Sequence, residues 1–120
     1  MTPPHVDAAL EFLTRNYQDS ALRLKHVAEA TRVSPAYLDR LLTRETGASF
    51  LVHLHRVRLI EACKLLDYTQ LSVKEISFSV GYKYVVEFDR HFKRIHGVTP
   101  SEWRHRNNRL VSAATRTVNR

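Results

Sequence analysis

Two acid-base pairs, fifty residues apart, are the side chains of this 120-residue sequence best suited to recognition chemistry. Asp39-Arg40 and Asp89-Arg90 each place a carboxylate directly before a guanidinium. A guanidinium donates two parallel hydrogen bonds to a planar pair of acceptors, and a carboxylate accepts hydrogen bonds from amino groups. The pattern therefore indicates that the chain binds a polar partner through side-chain hydrogen bonds.

Catalytic and metal-binding patterns are weaker in this sequence. His53 and His55 lie two residues apart, and His91 and His96 lie five apart, so neither pair has the four-residue spacing of a helical metal site. We therefore expect no enzymatic activity, no metal and no cofactor. The single cysteine, Cys63, lies in an apolar helical run and is expected to be a buried, unreactive thiol.

The residues around each acid-base pair repeat at helical spacing, which predicts two helices with one apolar and one polar face. The first helix has Leu38, Leu41 and Leu42 facing inward, and Ala36, Asp39, Arg40 and Thr43 on its outer face. The second has Phe88, Phe92 and Ile95 facing inward, and Val86, Asp89, Arg90 and Lys93 on its outer face.

A shorter helix precedes the second of these helices and completes a known motif. Ser72 and Glu75 form a capping box at its start, and Gly81 follows it where a left-handed turn is easiest. The next helix begins near Tyr84 and ends at Gly97. Two short helices joined by a glycine-containing turn, the second with a basic outer face, form the helix-turn-helix pattern of DNA-binding proteins.

The same plan occurs earlier in the chain, which indicates an internal duplication. Leu24 to Ala30 predict a short helix, with Arg23 a poor N-cap, and Ser34-Pro35 predict the start of the next helix. The equivalent residues, each fifty apart, are Leu38 and Phe88, Asp39-Arg40 and Asp89-Arg90, Leu42 and Phe92, Gly47 and Gly97, and Ser49 and Thr99. Upstream, the spacing slips by one residue, so the second copy has the longer turn.

Three further helices complete the predicted architecture. The first is expected to have Thr2 as its N-cap and proline in its first turn, to pack over the first helix-turn-helix and to end near Tyr17. The last starts with the capping box Thr99-Pro100-Ser101-Glu102 and brings Trp103 to the second core. From residue 108 to residue 120 the periodicity is lost, and we expect a disordered tail.

The longest predicted helix lies between the two copies. Ser49 caps it, and it runs to about Tyr68, a length of about 30 Å that is close to one turn of B-DNA. Such a helix can hold two recognition helices in successive major grooves. Arg58 interrupts its apolar stripe and is expected to pair with a carboxylate or a backbone carbonyl. The predicted divisions are a first lobe over about 6–48, a connector over 49–68 and a second lobe over about 72–106.

The net charge of +7 and the pI near 10.0 are typical of proteins that bind polyanions. Residues 83–120 hold nine basic against three acidic side chains, whereas residues 1–82 hold ten against nine. A membrane-surface helix is disfavoured, because the aromatic residues point inward by their spacing. The sequence has no apolar run that could span a bilayer and no leader pattern, so we expect a cytoplasmic protein.

These motifs resemble the DNA-binding domain of the AraC/XylS family of bacterial transcription regulators. The resemblance is carried by VSPAYLDRLLTRETGASF, RLIEACKLL and EISFSVGYKYVVEFDRHFKRIHGVTPSEWR, and it extends from Val6 to about Arg106. It implies an all-α fold of seven helices, with two helix-turn-helix lobes joined by a long connector. It also implies a regulator, in most cases an activator, that binds an asymmetric promoter site as a monomer and has RNA polymerase as its partner.

The sequence departs from the family where DNA would be bound. Tyr84-Val85-Val86-Glu87 and Asp89 stand where small polar residues are common, which predicts a different base sequence rather than a different binding mode. Ser77 replaces the usual alanine, and a hydroxyl there can bond back to a backbone carbonyl at modest cost. Many family members also carry a ligand-sensing domain. These residues contain no such domain and no evident effector site, which leaves open whether the regulator stands alone or is one end of a longer chain.

The site prediction follows from the outer faces of the two recognition helices. The residues expected to contact bases are Ala36, Asp39, Arg40, Thr43, Val85, Val86, Asp89 and Arg90, and those expected to contact phosphates are Arg44, Lys83, Lys93 and Arg94. Because both helices place an Asp directly before the Arg, both lobes are predicted to read related half-sites in the same orientation, each with a guanine for the Arg and a neighbouring cytosine for the Asp. Asp89 could instead pair with Lys93 one helical turn away, whereas Asp39 faces Thr43 and has no such partner. The alternative function is a protein-interaction module or anti-activator that binds DNA weakly, since Asp39, Glu87 and Asp89 make these faces partly negative.

Overall fold

The computed structural model describes residues 3–107, and over that range the chain forms seven helices and no strand. The helices are α1 (Pro4–Asn16), α2 (Leu24–Thr31), α3 (Pro35–Thr46), α4 (Phe50–Tyr68), α5 (Val73–Ser79), α6 (Val85–His96) and α7, which is described over 100–107. The predicted all-α fold and its seven helices are confirmed. Thr2 and the predicted tail from 108 to 120 lie outside the described residues.

The chain divides into two compact units between Arg58 and Leu59, within α4. Because α4 is a single uninterrupted helix, its first half belongs to the first unit and its second half to the second. Within residues 3–107 no helix combines the length and the apolar character needed to cross a bilayer.

The first unit has one apolar core, made where α1 packs against α2 and α3. Its buried side chains are Val6, Ala9, Leu13, Leu22, Val27, Ala28, Leu38, Leu41, Leu42, Phe50 and Leu54. All three leucines predicted to face inward from α3 are buried. The predicted cap of α1 is wrong, since Pro3 rather than Thr2 holds the N-cap position and no side chain caps this helix.

The short helix α2 ends and begins differently from its counterpart α5. The Arg23 side chain has no acceptor atom and cannot cap the first N–H groups of α2. The His26 side chain contributes instead, because its Nδ1 accepts from the Arg23 backbone N–H at 3.0 Å. At its C-terminus Arg32 adopts a left-handed φ of 61°, whereas the second copy has Gly81 at a φ of 106°. A side chain in the left-handed region costs roughly 1 to 2 kcal/mol, so the second copy makes its turn at lower cost.

Arg58 is buried, with 5% of its surface exposed, and it binds backbone carbonyls of the first unit. Its Nε donates to the carbonyl of Tyr17 at 2.9 Å and its Nη2 to that of Asp19 at 3.0 Å. The prediction of a carbonyl partner is therefore confirmed. These bonds hold the segment after α1 against the middle of α4.

The second unit has an aromatic core in which Tyr82, Phe88 and Phe92 are buried. The rings of Phe88 and Phe92 meet edge to face with 5.7 Å between centroids, and Trp103 meets Phe92 in the same way at 5.8 Å. Trp103 also donates from Nε1 to Asp67 Oδ1 at 2.9 Å, so it closes this core as predicted. Ile95 does not join the core, contrary to prediction, because 48% of its surface is exposed.

Both predicted capping boxes of the second unit are confirmed. Glu75 N–H donates to Ser72 Oγ at 3.0 Å, and Ser72 N–H donates to Glu75 Oε1 at 3.2 Å. The equivalent distances for Thr99 and Glu102 are 3.1 and 3.3 Å. Each box satisfies two backbone donors that the first turn of a helix leaves without partners.

Two other predictions for this unit are corrected. Cys63 is half-buried rather than buried, and its Sγ lies 3.5 Å from His96 Nε2. Burial, followed by the charge of Asp67, raises the pKa of this thiol to about 11, which agrees with an unreactive cysteine. The hydroxyl of Ser77 is fully buried and has no hydrogen-bond partner among the described residues, so it does not bond back to a carbonyl.

Candidate nucleic-acid interface

Helix α3 presents a solvent-exposed face in the first unit. Ser34 caps this helix by accepting from the Tyr37 N–H at 3.2 Å, and Gly47 ends it with a left-handed φ of 80°. Arg40 is exposed and has no ion pair within residues 3–107. Along this face runs a shallow concavity lined by Leu24, Ala36, Asp39, Arg40, Thr43 and Arg44. Five of the six lining residues were predicted to contact DNA.

Asp39 has a structural partner that its sequence neighbours do not reveal. Its Oδ1 accepts the backbone N–H of Phe50, the first residue of α4, at 2.8 Å. This partner is a backbone N–H eleven residues away and not a side chain one helical turn away, so helical spacing could not predict it. Ser49 accepts the Val52 N–H at 3.4 Å, so the predicted cap of α4 is present as well. Together the two side chains satisfy N–H groups at the start of α4, and Asp39 ties that start to α3.

Thr43 and Arg44 already have bonds within α3. Thr43 Oγ1 donates to the Asp39 carbonyl at 2.8 Å, which leaves its oxygen free to accept. Arg44 Nε lies 3.2 Å from Glu45 Oε1 in a pair whose arginine side chain is 71% exposed. Exposed pairs of this kind are weak, so Arg44 can exchange Glu45 for an anion in solution.

Helix α6 presents the corresponding face in the second unit. Val86, Arg90 and Lys93 are exposed, Val85 and Asp89 are half-buried, and Arg90 has no ion pair among the described residues. The predicted outer face is therefore present, with Val86 exposed over 75% of its surface. Lys83, just before the helix, lies with Nζ 5.6 Å from the centre of the Tyr84 ring.

Asp89 differs from Asp39 because it has no bond. Within residues 3–107 it makes neither a hydrogen bond nor an ion pair, so the pairing with Lys93 that the sequence allows is not formed. Burial raises the pKa of its carboxyl group. A half-buried carboxylate without a donor is unfavourable, and a ligand that supplies a donor would relieve that cost.

His91 connects two charged side chains of α6. Its Nδ1 accepts from Arg94 Nη2 at 2.9 Å, and its Nε2 lies 4.0 Å from Glu87 Oε1. Burial lowers the pKa of His91 most, the charge of Arg94 lowers it further, and Glu87 opposes the change. The neutral ring can therefore accept a hydrogen bond from the Arg94 guanidinium at Nδ1 and hold Arg94 along the helix.

Two exposed aromatic residues lie beside these faces but are absent from the predicted contact residues. Tyr37, in the first turn of α3, is 43% exposed and lines a concavity with Arg40 and Arg44. Tyr84, which holds the N-cap position of α6, is 60% exposed. The signal for Tyr37 was its spacing of three and seven residues from the two arginines. The N-terminal residues of a recognition helix are those that reach base edges, so both tyrosines belong to the candidate interface.

The two units thus present matching faces, each with a central exposed arginine. Contacts of these residues with bases and phosphates remain predictions, for Ala36, Asp39, Arg40, Thr43, Val85, Val86, Asp89 and Arg90 on bases and for Arg44, Lys83, Lys93 and Arg94 on phosphates.

Comparison with known proteins places residues 27–106 in a family described as "Helix-turn-helix domain". The chain is similar to the lactose operon transcription activator of Staphylococcus xylosus, with 29% identity over 100 residues, 83% of this chain and 36% of that protein. This chain spans 11% to 37% of the length of such curated relatives.

Solved structures with the same fold include the C-terminal domain of AraT, a response regulator from Geobacillus stearothermophilus. It superposes with a TM-score of 0.84 at 36% identity and covers 87% of this chain and 86% of that one. The DNA-binding domain of AdpA, solved in complex with a target DNA, superposes with a TM-score of 0.78 at 23% identity, over 83% of this chain and 89% of that one.

Proposed function

This chain belongs to the AraC/XylS family of helix-turn-helix proteins, and from that membership we propose that it regulates transcription by binding specific sequences in double-stranded DNA. One observation carries the proposal. Arg40 and Arg90 occupy equivalent positions on two recognition helices, and both are exposed without an ion pair in the described part of the chain. A guanidinium in this state is available to bond guanine O6 and N7 together.

The phosphate contacts are assigned to the basic residues around these readers. Lys93 and Arg94 follow Arg90 toward the C-terminus of α6, Arg44 follows Arg40 in α3, and Lys83 precedes α6. Phosphate neutralisation supplies much of the affinity for any duplex, whereas the base contacts select the sequence. The placing of the two recognition helices in successive major grooves is a proposal from the sequence alone, based on the length of α4.

Activation of transcription is the form of regulation we propose. The Staphylococcus xylosus relative is named a transcription activator, and the AdpA domain was solved on its target DNA. By extension, we assign RNA polymerase as the protein partner and the cytoplasm as the location.

The alternative, a protein-interaction module or anti-activator, had its main support in negative charge on the two faces. Asp39 is bonded to the Phe50 N–H, and Glu87 lies beside His91. Asp39 is thereby engaged by the protein's own backbone, and the exposed side chains Arg40 and Arg90 lie at the centre of the two faces, which favours DNA as the ligand of these faces.

The proposal is tested by selecting binding sequences from a random duplex pool and measuring affinity for the selected and a scrambled duplex at several salt concentrations. Arg40→Ala and Arg90→Ala should each cost roughly 1 to 3 kcal/mol on the selected duplex and less on the scrambled one. Arg15→Ala is the matched control, because it removes the same charge from α1, where Arg15 pairs with Glu11 at 2.7 Å. Failure of the wild-type chain to enrich any sequence, or weak binding without salt dependence, would favour the protein-interaction alternative.

A further inference from the structure

Asp39 and Asp89 hold equivalent positions in the two copies but have different surroundings. In the first copy, the Asp39 carboxylate accepts the N–H of Phe50 at 2.8 Å. The residue equivalent to Phe50, fifty positions later, is Pro100, which has no backbone N–H. Asp89 therefore lacks the donor that engages Asp39.

The backbone around the two aspartates is otherwise alike. Helices α3 and α6 both have 12 residues, and each ends at a glycine with a left-handed φ, of 80° at Gly47 and 77° at Gly97. A capping hydroxyl follows in each case, from Ser49 and Thr99. The difference between the two aspartates is thus explained by the proline and not by a different course of the chain.

Asp89 also finds no substitute partner. Within residues 3–107 it has no hydrogen bond and no ion pair, although Lys93 lies one helical turn away. Burial raises the pKa of its carboxyl group, as expected for a carboxylate that has lost water without gaining a donor. Its place next to Arg90 puts this unused acceptor on the face proposed to enter the major groove.

We infer that Asp89 is a specificity-determining residue that accepts a hydrogen bond from a cytosine amino group, while Asp39 serves to hold α3 to α4. This inference rests on the proposed function. Cytosine is the base that suits a carboxylate, because its N4 amino group is a donor without the neighbouring N7 acceptor that adenine presents. The two half-sites therefore differ, since each has a guanine for its arginine but the cytosine is required only in the half-site of α6.

Selection from a random duplex pool with the full chain tests this directly. The wild-type chain should enrich a cytosine in one half-site, and changing that base should weaken binding about tenfold. In Asp89→Ala the affinities for the duplex with the cytosine and for the duplex with that base changed should be nearly equal. Asp89→Asn should shift the preference from cytosine toward adenine, because an amide can bond adenine N6 and N7 together.

Asp39→Ala and Asp39→Asn are the comparison variants. Asp39→Ala should lower the melting temperature, because the Phe50 N–H loses its acceptor, and Asp39→Asn should lower it less, because the amide oxygen can still accept that N–H. The cytosine preference of the other half-site should persist in both variants. Asp39 variants that relax the cytosine preference, or Asp89 variants that retain it in full, would overturn the inference.

The role of Pro100 gives a second, independent test. Pro100→Ala restores an N–H at the start of α7, and Asp89 should then bond to it as Asp39 bonds to Phe50. The ratio between the affinity for the duplex with the cytosine and the affinity for the duplex with that base changed should fall several-fold. Binding to the selected duplex should still be weakened by Arg90→Ala. A ratio equal to that of the wild type would show that the proline does not keep Asp89 available. If the wild-type chain enriches no sequence at all, the proposed function fails; if it enriches a site with no Asp89-dependent cytosine, only this inference fails.

Discussion

The Nε of Arg58 donates to the carbonyl of Tyr17 at 2.9 Å, across 41 positions of sequence. The second bond, from Nη2 to the carbonyl of Asp19 at 3.0 Å, holds the same segment two residues further on. A guanidinium can donate to several carbonyls at once. The Arg58 side chain therefore supplies hydrogen-bond donors to the backbone carbonyls of the segment that follows α1.

Replacing Arg58 by alanine should therefore lower the free energy of unfolding by about 3 kcal/mol, since the hydrogen bonds from a charged donor to the carbonyls of Tyr17 and Asp19 are lost. Arg58→Lys should cost less, because an ammonium keeps the charge but not the forked geometry. Urea denaturation followed by circular dichroism measures both. The control is Arg15→Ala, an exposed pair with Glu11, where a change within about 0.5 kcal/mol is expected. Equal effects at residues 15 and 58 would contradict the structural role of Arg58.

Replacing Ser77 by alanine should stabilise the protein by about 1 kcal/mol. The Ser77 hydroxyl is fully buried without a hydrogen-bond partner, so its removal recovers a desolvation cost, and alanine is also the better helix former. Ser79→Ala on the same helix controls for helix propensity, because Ser79 is exposed. In thermal and urea denaturation, the Ser77→Ala variant should be more stable than the Ser79→Ala variant. The reverse order of stability would indicate that the Ser77 hydroxyl has a hydrogen-bond partner.

Folding stability should decrease as the pH falls below the ordinary histidine value of 6.5. Burial lowers the pKa of His53, His91 and His96 in the folded state, so the unfolded chain binds protons that the folded chain does not. The free energy of unfolding is therefore highest above pH 6.5, and it decreases as the pH falls from 6.5 to the lowered pKa values of these histidines in the folded state.

His96 offers the variant that checks this pH dependence. Its ring lies 4.5 Å from that of Phe92 and 5.0 Å from that of Trp103. His96→Phe keeps an aromatic ring there but cannot be protonated, so unfolding free energies measured between pH 7 and pH 5 should fall less steeply. Cys63→Ala removes only the contact at 3.5 Å and should keep the wild-type pH dependence. A His96→Phe curve parallel to the wild type would exclude His96 as a contributor.

Loss of Lys93 should reduce the slope of log affinity against log salt by about one, because one phosphate contact and its counterion release are removed. The loss should be the same on selected and scrambled duplexes. Lys64→Ala serves as the control, since Lys64 lies on α4 and pairs with Glu61 at 3.0 Å. An unchanged slope for the Lys93 variant would remove it from the phosphate contacts.

Val86 should contact a thymine methyl group, because it is a branched apolar side chain with 75% of its surface exposed beside Arg90. Replacing thymine by uracil in the half-site of α6 should weaken binding about fourfold, the value of one buried methyl group. In a Val86→Ala variant the two duplexes should bind almost equally. Val85 is half-buried, so if only Val85→Ala abolishes the difference, Val85 rather than Val86 makes the contact.

The sequence alone was sufficient for features that depend on neighbouring residues. Ser34, the box of Ser72 and Glu75, and the box of Thr99 and Glu102 all join residues three positions apart, so helix geometry brings them together wherever the helix lies. Helical periodicity likewise predicted that Arg40 and Arg90 are exposed, because the apolar residues of each helix define the opposite face.

Only the tertiary structure decided the features that depend on what lies against a helix face. Periodicity placed Ile95 with Phe88 and Phe92, but it could not show that the core covers only half of Ile95. Ser77 could have bonded to its own helix, and instead its hydroxyl is fully buried without a hydrogen-bond partner among the described residues. Asp39 and Asp89 occupy equivalent positions in the repeated sequence. Their difference arises eleven residues further on, where the folded chain returns with an N–H at Phe50 and with none at Pro100, because hydrogen bonds between elements depend on which backbone atoms the fold brings within reach.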